Sequence, residues 1–216
     1  QAVLLLEGTH LIEAACAVSY PLQVLCYTED WQQRHPQIYR DAISHADRIE
    51  LVSPDVLKSI ASTITPDGVV ATAPRRNVWE AISSAPSDDA SLGIMLEKLQ
   101  DPGNLGTIIR TAAAAGSDGI WLSPDSVDLG HPKVLRASVG QWFQQPMATV
   151  DVIEKAKALQ TNGTQVVATS ATAELDYWQL DLRQPTVFVM GNEGAGLSEG
   201  LMNCASVTVK IPVMSG

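Results

Sequence analysis

Short apolar runs recur along this chain, and between them the apolar residues return every three or four positions. In the first part the runs Ala2 to Leu6, Gln23 to Tyr27, Ile49 to Val52 and Val69 to Ala73 read as strands, alternating with helical patterns at Leu11 to Ala17, Gln32 to His45 and Ser53 to Ala61. Ser53-Pro54-Asp55 is a helix start, with a capping hydroxyl and proline at the first helical position. Arg75 to Ala90, closing on the polar SSAPSDDA, reads as a linker with a short apolar stretch, Val78 to Ile82, fit for a helix. The second part resumes with strands at Leu92 to Leu96, Gly119 to Leu122, Gln165 to Ala168, Val187 to Met190 and Val207 to Ile211. Its helices are expected at Leu105 to Ala115, Lys133 to Ser138, Val152 to Gln160 and Leu197 to Asn203. Strands separated by helices predict an α/β protein with a parallel sheet, whose ligands belong at the carboxyl ends of the strands. The expected division is residues 1–75, a linker over 76–90, and residues 91–216.

Two strand-exit loops then stand out. After Leu92 to Leu96 comes EKLQDPGNLGTIIRTAAAAG, in which Asn104 is the expected N-cap of an alanine-rich helix. Leu105, Ile108, Ile109, Ala112 and Ala113 share one broad face, while Thr107, Arg110, Thr111 and Ala114 share another. Long helical side chains lean toward the N-terminus, so the Arg110 guanidinium is expected to reach back toward the loop and favour an anion there. An ordinary surface arginine is the plain alternative. After Val187 to Met190 comes GNEGAGLS, Gly191 to Ser198, which nearly matches a phosphate-binding G-x-x-x-x-G-K-[ST] loop but carries Leu197 at the lysine position. Its glycines run G-x-x-G-x-G, so it is not the dinucleotide fingerprint either. What remains is a backbone-rich loop beside the Glu193 carboxylate, suited to the edge of a flat ligand, or simply a tight turn.

Composition narrows the classes. A chain of 216 residues with 45% hydrophobic and 18% charged content is that of a globular protein, and no stretch is long enough to span a bilayer. The three cysteines, Cys16, Cys26 and Cys204, are odd in number and widely spaced, which predicts reduced thiols and a cytoplasmic setting. The four histidines show no metal-ligand spacing, so no metal site is expected. A net charge of −10 excludes a purely electrostatic nucleic-acid binder and leaves room only for a local basic patch. Candidates for such a patch are Arg75, Arg76, Lys98, Lys133 and Arg136, each of them a solvated surface charge unless it shares a face with Arg110.

DPGNLGTIIRTAAAAG, GNEGAGLS and the terminal IPVMSG, in that order and spacing, resemble the three signature motifs of the SpoU (TrmH-like) RNA 2′-O-ribose methyltransferases of the SPOUT class. LLLEGTHLIEAA resembles the start of the small domain that precedes the catalytic domain in many members, and PKVLRASVG resembles the segment after the second catalytic strand. The resemblance implies an α/β architecture: a SPOUT-type parallel-sheet domain with a C-terminal trefoil knot, preceded by a ribosomal-protein-like substrate-binding domain. It implies Asn104, Arg110 and Glu193 as the catalytic centre, and S-adenosylmethionine held by Thr169, Ser170, Met190, Gly191, Asn192, Gly196 and Ile211. Such proteins continue beyond the third motif, so the knot segment is expected to be incomplete at Gly216. The same resemblance implies a homodimer acting on structured RNA, ribosomal RNA before transfer RNA. Two other readings are a non-catalytic RNA-binding protein of this fold and a nucleotide-dependent enzyme using Gly191 to Ser198, the latter weakened by Leu197.

Overall fold

A computed structural model describes residues 3–75, 86–87 and 89–212. Arg76, most of the expected linker, the stretch Val78 to Ile82 and the last four residues of IPVMSG lie outside them. In chain order the elements are β1 (Val3–Glu7), α1 (Thr9–Ala17), β2 (Leu22–Tyr27), α2 (Glu29–Arg34), α3 (Pro36–His45), β3 (Ala46–Leu51), α4 (Pro54–Ile60), β4 (Val69–Pro74), β5 (Leu92–Leu96) and α5 (Pro102–Ala114). There follow β6 (Gly119–Leu122), α6 (Pro132–Ala137), β7 (Met147–Thr149), α7 (Val152–Thr161), β8 (Gln165–Thr169), β9 (Leu175–Asp176), β10 (Thr186–Met190), α8 (Glu199–Asn203) and β11 (Val207–Lys210). Packing divides the chain into two compact units that do not follow its linear order.

The first unit comprises residues 1–82, 105–110 and 128–144. Its four-stranded sheet runs β1-β4-β2-β3, antiparallel except for the parallel pair β2 and β3. The single helix expected over Gln32 to His45 is broken in two, because Pro36 cannot donate a backbone bond and forces His35 out of helical geometry (φ −127°, ψ 54°). Leu4, Leu6, Ile12, Leu22, Leu25 and Trp31 are fully buried. The buried indole is not left unpaired: Trp31 Nε1 donates to Thr9 Oγ1 at 2.8 Å, and Thr9 donates through both N and Oγ1 to Asp67 Oδ2. Residues from the later part of the chain complete this unit. Phe143 lies 5.4 Å from Tyr20 by ring centroid, and a Cβ on Gly140 would stand 2.6 Å from that of Ala14. Arg136 Nη1 donates to Glu7 Oε2 at 2.9 Å, with Glu7 buried.

The second unit comprises residues 83–104, 111–127 and 145–216. Its seven strands are all parallel, in the order β7-β6-β5-β10-β8-β11-β9. Val187, Val189, Met95 and Trp121 on the sheet pack with Val166, Leu159 and Leu201 in one apolar cluster. Gly93 is required here, since a Cβ would stand 2.5 Å from the Trp121 ring. The two edge strands β7 and β9 were not expected, being three and two residues long; their pairing partners, not their own pattern, make them strands. The final strand β11 enters between β8 and β9. Thr169, Met190 and Lys210, which end β8, β10 and β11, thus fall on one edge of the sheet.

Candidate active site

Helix α5 begins earlier than its sequence suggests. Asp101, not Asn104, is the N-cap: its Oδ1 accepts the Asn104 N–H at 2.9 Å, and Pro102 takes the first helical position. Both Asp and Asn cap helices, so composition alone did not separate them, and Pro102 was the decisive residue. The apolar face is as expected, with Leu105, Ile109 and Ala112 buried and Thr107, Arg110 and Thr111 exposed. Arg110 is then the ninth residue of the helix, beyond the first turn where the N-terminal partial charge acts.

The shift in cap frees Asn104 for another role. Its Nδ2 donates to Glu193 Oε1 at 3.2 Å, across a sequence separation of 89. Glu193 also accepts the backbone N–H of Asp101 at 2.9 Å and of Gln100 at 3.2 Å. The Asp101 N–H, helped by those of its own loop and Gln100 and by Asn104, holds the exposed Glu193 carboxyl below the usual glutamate range against a slight desolvation. The anion expected at this helix start is therefore supplied by the protein, as the Asp101 and Glu193 carboxylates. Arg110, exposed on α5, has no hydrogen bond or ion pair among the described residues.

The second loop closes on itself. Asn192 N donates to Gly196 O at 3.0 Å and Gly196 N to Asn192 O at 2.9 Å, while Asn192 Oδ1 accepts from Gly194 and Ala195. Gly191 lies against this turn: a Cβ there would meet the Gly196 carbonyl carbon at 2.2 Å and Leu197 N at 2.4 Å. The glycine thus admits the loop's own backbone. Gly196, at φ +71°, needs the left-handed region, and no atom lies within 4 Å of its would-be Cβ. The remaining expected cofactor residues gather on the same edge. Thr169 Oγ1 donates to Val189 O at 2.9 Å, Ser170 Oγ pairs with Thr172 Oγ1 at 3.0 Å, Met190 is half-buried, and Ile211, just past β11, is 54% exposed.

Of the basic candidates, two are engaged elsewhere. Arg75 donates through both terminal nitrogens to Asp128, and Arg136 serves Glu7 and Ser62. Lys133 is exposed on α6. Lys98 lines a cavity with Gln100, Asp125, Asn192 and residues 195–198, next to Glu193. The motifs gave no role to Glu97 or Ser198, which meet in this site; their only signals were polarity just after an apolar strand for Glu97 and a helix-capping hydroxyl at the end of the glycine loop for Ser198. No group of acidic, histidine and cysteine residues able to hold a metal occurs among the described residues.

The profile of the SpoU rRNA Methylase family matches residues 91–216, more than half of the chain. The chain belongs to the SpoU family. A second profile, described as RNA 2′-O ribose methyltransferase substrate binding, matches residues 5–79. A Synechocystis protein named as an uncharacterized tRNA/rRNA methyltransferase is 43% identical over 216 residues, covering 98% of this SpoU chain and 76% of its own length. The 23S rRNA (uridine(2479)-2′-O)-methyltransferase of Streptomyces viridochromogenes is 29% identical over 217 residues, covering 97% and 74%. Among solved structures, an AdoMet-bound rRNA methyltransferase from Sinorhizobium meliloti superposes with a TM-score of 0.81 at 29% identity, over 99% of this chain and 79% of its own. No helix among the described residues is long and apolar enough to cross a membrane.

Proposed function

We propose that this SpoU protein methylates a ribose 2′-hydroxyl of structured RNA, ribosomal rather than transfer RNA, using S-adenosylmethionine and working as a cytoplasmic homodimer. The observation that carries the reading is the direct bond between Asn104 and Glu193, which joins the two family motifs into one polar site at the carboxyl edge of a parallel sheet. Ribosomal RNA is favoured because relatives matched over nearly the whole chain are named 23S rRNA methyltransferases, whereas the similar structure named for methylation on tRNA covers 58% of the chain.

The residues on the sheet edge suit the cofactor. Its adenine and methionyl ends call for a backbone-rich loop, hydroxyls and an apolar wall; the open side of Gly196, the Ser170 and Thr172 hydroxyls, and exposed Ile211 supply these. Thr169, Ser170, Met190, Gly191, Asn192, Gly196 and Ile211 are the residues we assign to hold it, and the knot expected of this family would be closed by the segment after β11. When bound, S-adenosylmethionine supplies an electrophilic methyl group on a sulfonium.

The protein's part is to present the hydroxyl in line and to stabilise charge as its proton leaves. Glu193 accepts from Asn104 Nδ2, which fixes the amide and leaves Asn104 Oδ1 as an acceptor for the ribose hydroxyl. Arg110 has no acceptor atom and stays protonated, so it clamps the neighbouring phosphate and favours the developing alkoxide rather than removing a proton. Lys98 and Lys133 are the remaining cations assigned to RNA. The test is methyl transfer from labelled S-adenosylmethionine to total RNA, with the 2′-O-methyl sites mapped. Label in ribosomal RNA is expected; label confined to transfer RNA would overturn the substrate, and no label in any RNA would overturn the enzyme reading.

A further inference from the structure

We infer that Glu97 is a positioning residue for methyl transfer, acting through Ser198 to hold the second-motif loop in its binding shape. The inference rests on the function proposed above, and it adds a residue to which neither the motifs nor the chemistry had given a role.

Glu97 sits one residue past β5 and is 5% exposed. Its backbone N–H donates to Met190 O at 2.9 Å, continuing the β5–β10 ladder by one rung. Its carboxyl oxygens accept the Ser198 N–H at 2.7 Å and the Ser198 hydroxyl at 2.6 Å. The loop from Gly191 to Leu197 is therefore tied at both ends to a single residue, by its entry at Met190 and its exit at Ser198. Ser198 in turn caps α8, its Oγ accepting the Leu201 N–H at 3.3 Å. A buried acidic side chain with two donors from one serine is a fully directed anchor, not a solvated charge.

The second loop returns the grip. Glu193 takes Gln100 N, Asp101 N and Asn104 Nδ2, and Asn192 Nδ2 donates to Lys98 O at 2.9 Å. Each loop thus places one carboxylate in the donors of the other. Between the two anchors Lys98 adopts φ 55°, a left-handed conformation that a lysine holds only when its surroundings determine it. They do so here: its N–H donates to Ser123 Oγ at 2.8 Å, and its carbonyl accepts from both Gln100 Nε2 and Asn192 Nδ2. Glu97 is buried behind the loop it secures, so its effect on the reaction passes through Ser198 to the backbone from Gly191 to Gly196.

The test uses the full chain carrying Glu97→Ala, Glu97→Gln, Ser198→Ala, Glu193→Ala and the double variant Glu97→Ala/Glu193→Ala. Glu97→Ala is expected to weaken S-adenosylmethionine binding in calorimetry by roughly 10- to 100-fold, the worth of one or two bonds to a charged group, while RNA affinity holds. In protein without cofactor, amide hydrogen exchange across residues 191–198 should accelerate, with the first unit unchanged. Glu97→Gln should recover part of the loss, since its amide oxygen still accepts one bond. The double variant should lose less than the product of the single losses, because the anchors act as a unit. Folded Glu97→Ala with native cofactor affinity and native loop exchange, or a lower melting temperature as its sole change, would overturn the inference, as would fully multiplicative losses. If Glu97→Ala does not fold, Ser198→Ala decides by the same two readouts. A wild-type chain that methylates no RNA would sink the proposed function and leave loop exchange to judge the anchor alone.

Discussion

Arg110 stands exposed on α5 with its guanidinium unspent among the described residues, which sets what its replacements should do. Arg110→Ala should lower kcat by roughly 10²- to 10³-fold, as removal of an oriented charge at the reacting centre does, and Arg110→Lys should keep part of the activity as a point charge without the fork. A lysine variant as inactive as the alanine, with RNA binding intact, would show that charge alone is not its role. Glu193 gives a pH prediction. Its folded-state carboxyl is depressed chiefly by the Asp101 N–H, so its stabilising bonds are present above the ordinary glutamate range and are lost as pH falls through the lower folded value. The difference in melting temperature between wild type and Glu193→Gln should accordingly be largest near neutrality and vanish in acid. At this scale the sequence offered candidate residues but not their wiring. Asn104 read as a cap because its chemistry permits one; that Asp101 takes the cap and Asn104 turns to Glu193 depends on a loop nearly ninety positions away.

Helices and strands were legible where their own pattern was long enough to carry the signal. β5 and β6 fall at the expected residues, and α7 differs from expectation by one. The misplacements have local causes, a proline that splits Gln32 to His45 and another that starts α5 early, while β7 and β9 exist because a neighbouring strand offers a ladder. The glycines of GNEGAGLS read as an opening for a ligand, yet Gly191 is filled by the turn that follows it. Gly191→Ala should therefore push that turn apart, at a cost of about 1–3 kcal/mol in stability, and weaken cofactor binding without touching the substrate-binding strands. Chemical denaturation and calorimetry on the same sample check both effects; an alanine variant with native stability would mean that the turn is looser than its closed hydrogen-bonded pair indicates.

Across the whole molecule, linear order and packing order diverge. The family profiles divide the chain at residues 79 and 91, whereas the first compact unit draws in residues 128–144. Periodicity along a chain cannot reveal this, since Arg136 and Glu7 are 129 positions apart. Their pair is buried on the Glu7 side, so Arg136→Met, which leaves that carboxyl short of its charged partner, should destabilise the unit by about 3 kcal/mol, whereas the exposed partnership of Arg48 with Glu50 should be replaceable at under about 1 kcal/mol. Thermal melts of Arg136→Met and Arg48→Met compare the two directly. The borrowed segment also bears on synthesis. A nascent chain emerging from the ribosome has all four strands of the first sheet by residue 74, yet Tyr20 and Glu7 wait for Phe143 and Arg136 before they are covered. With elongation at about 5–20 residues per second, that sheet spends several seconds with an unfinished side. Its burial is completed only after β5, α5 and β6 have been made, so the first part of this chain to be translated is not the first to be finished.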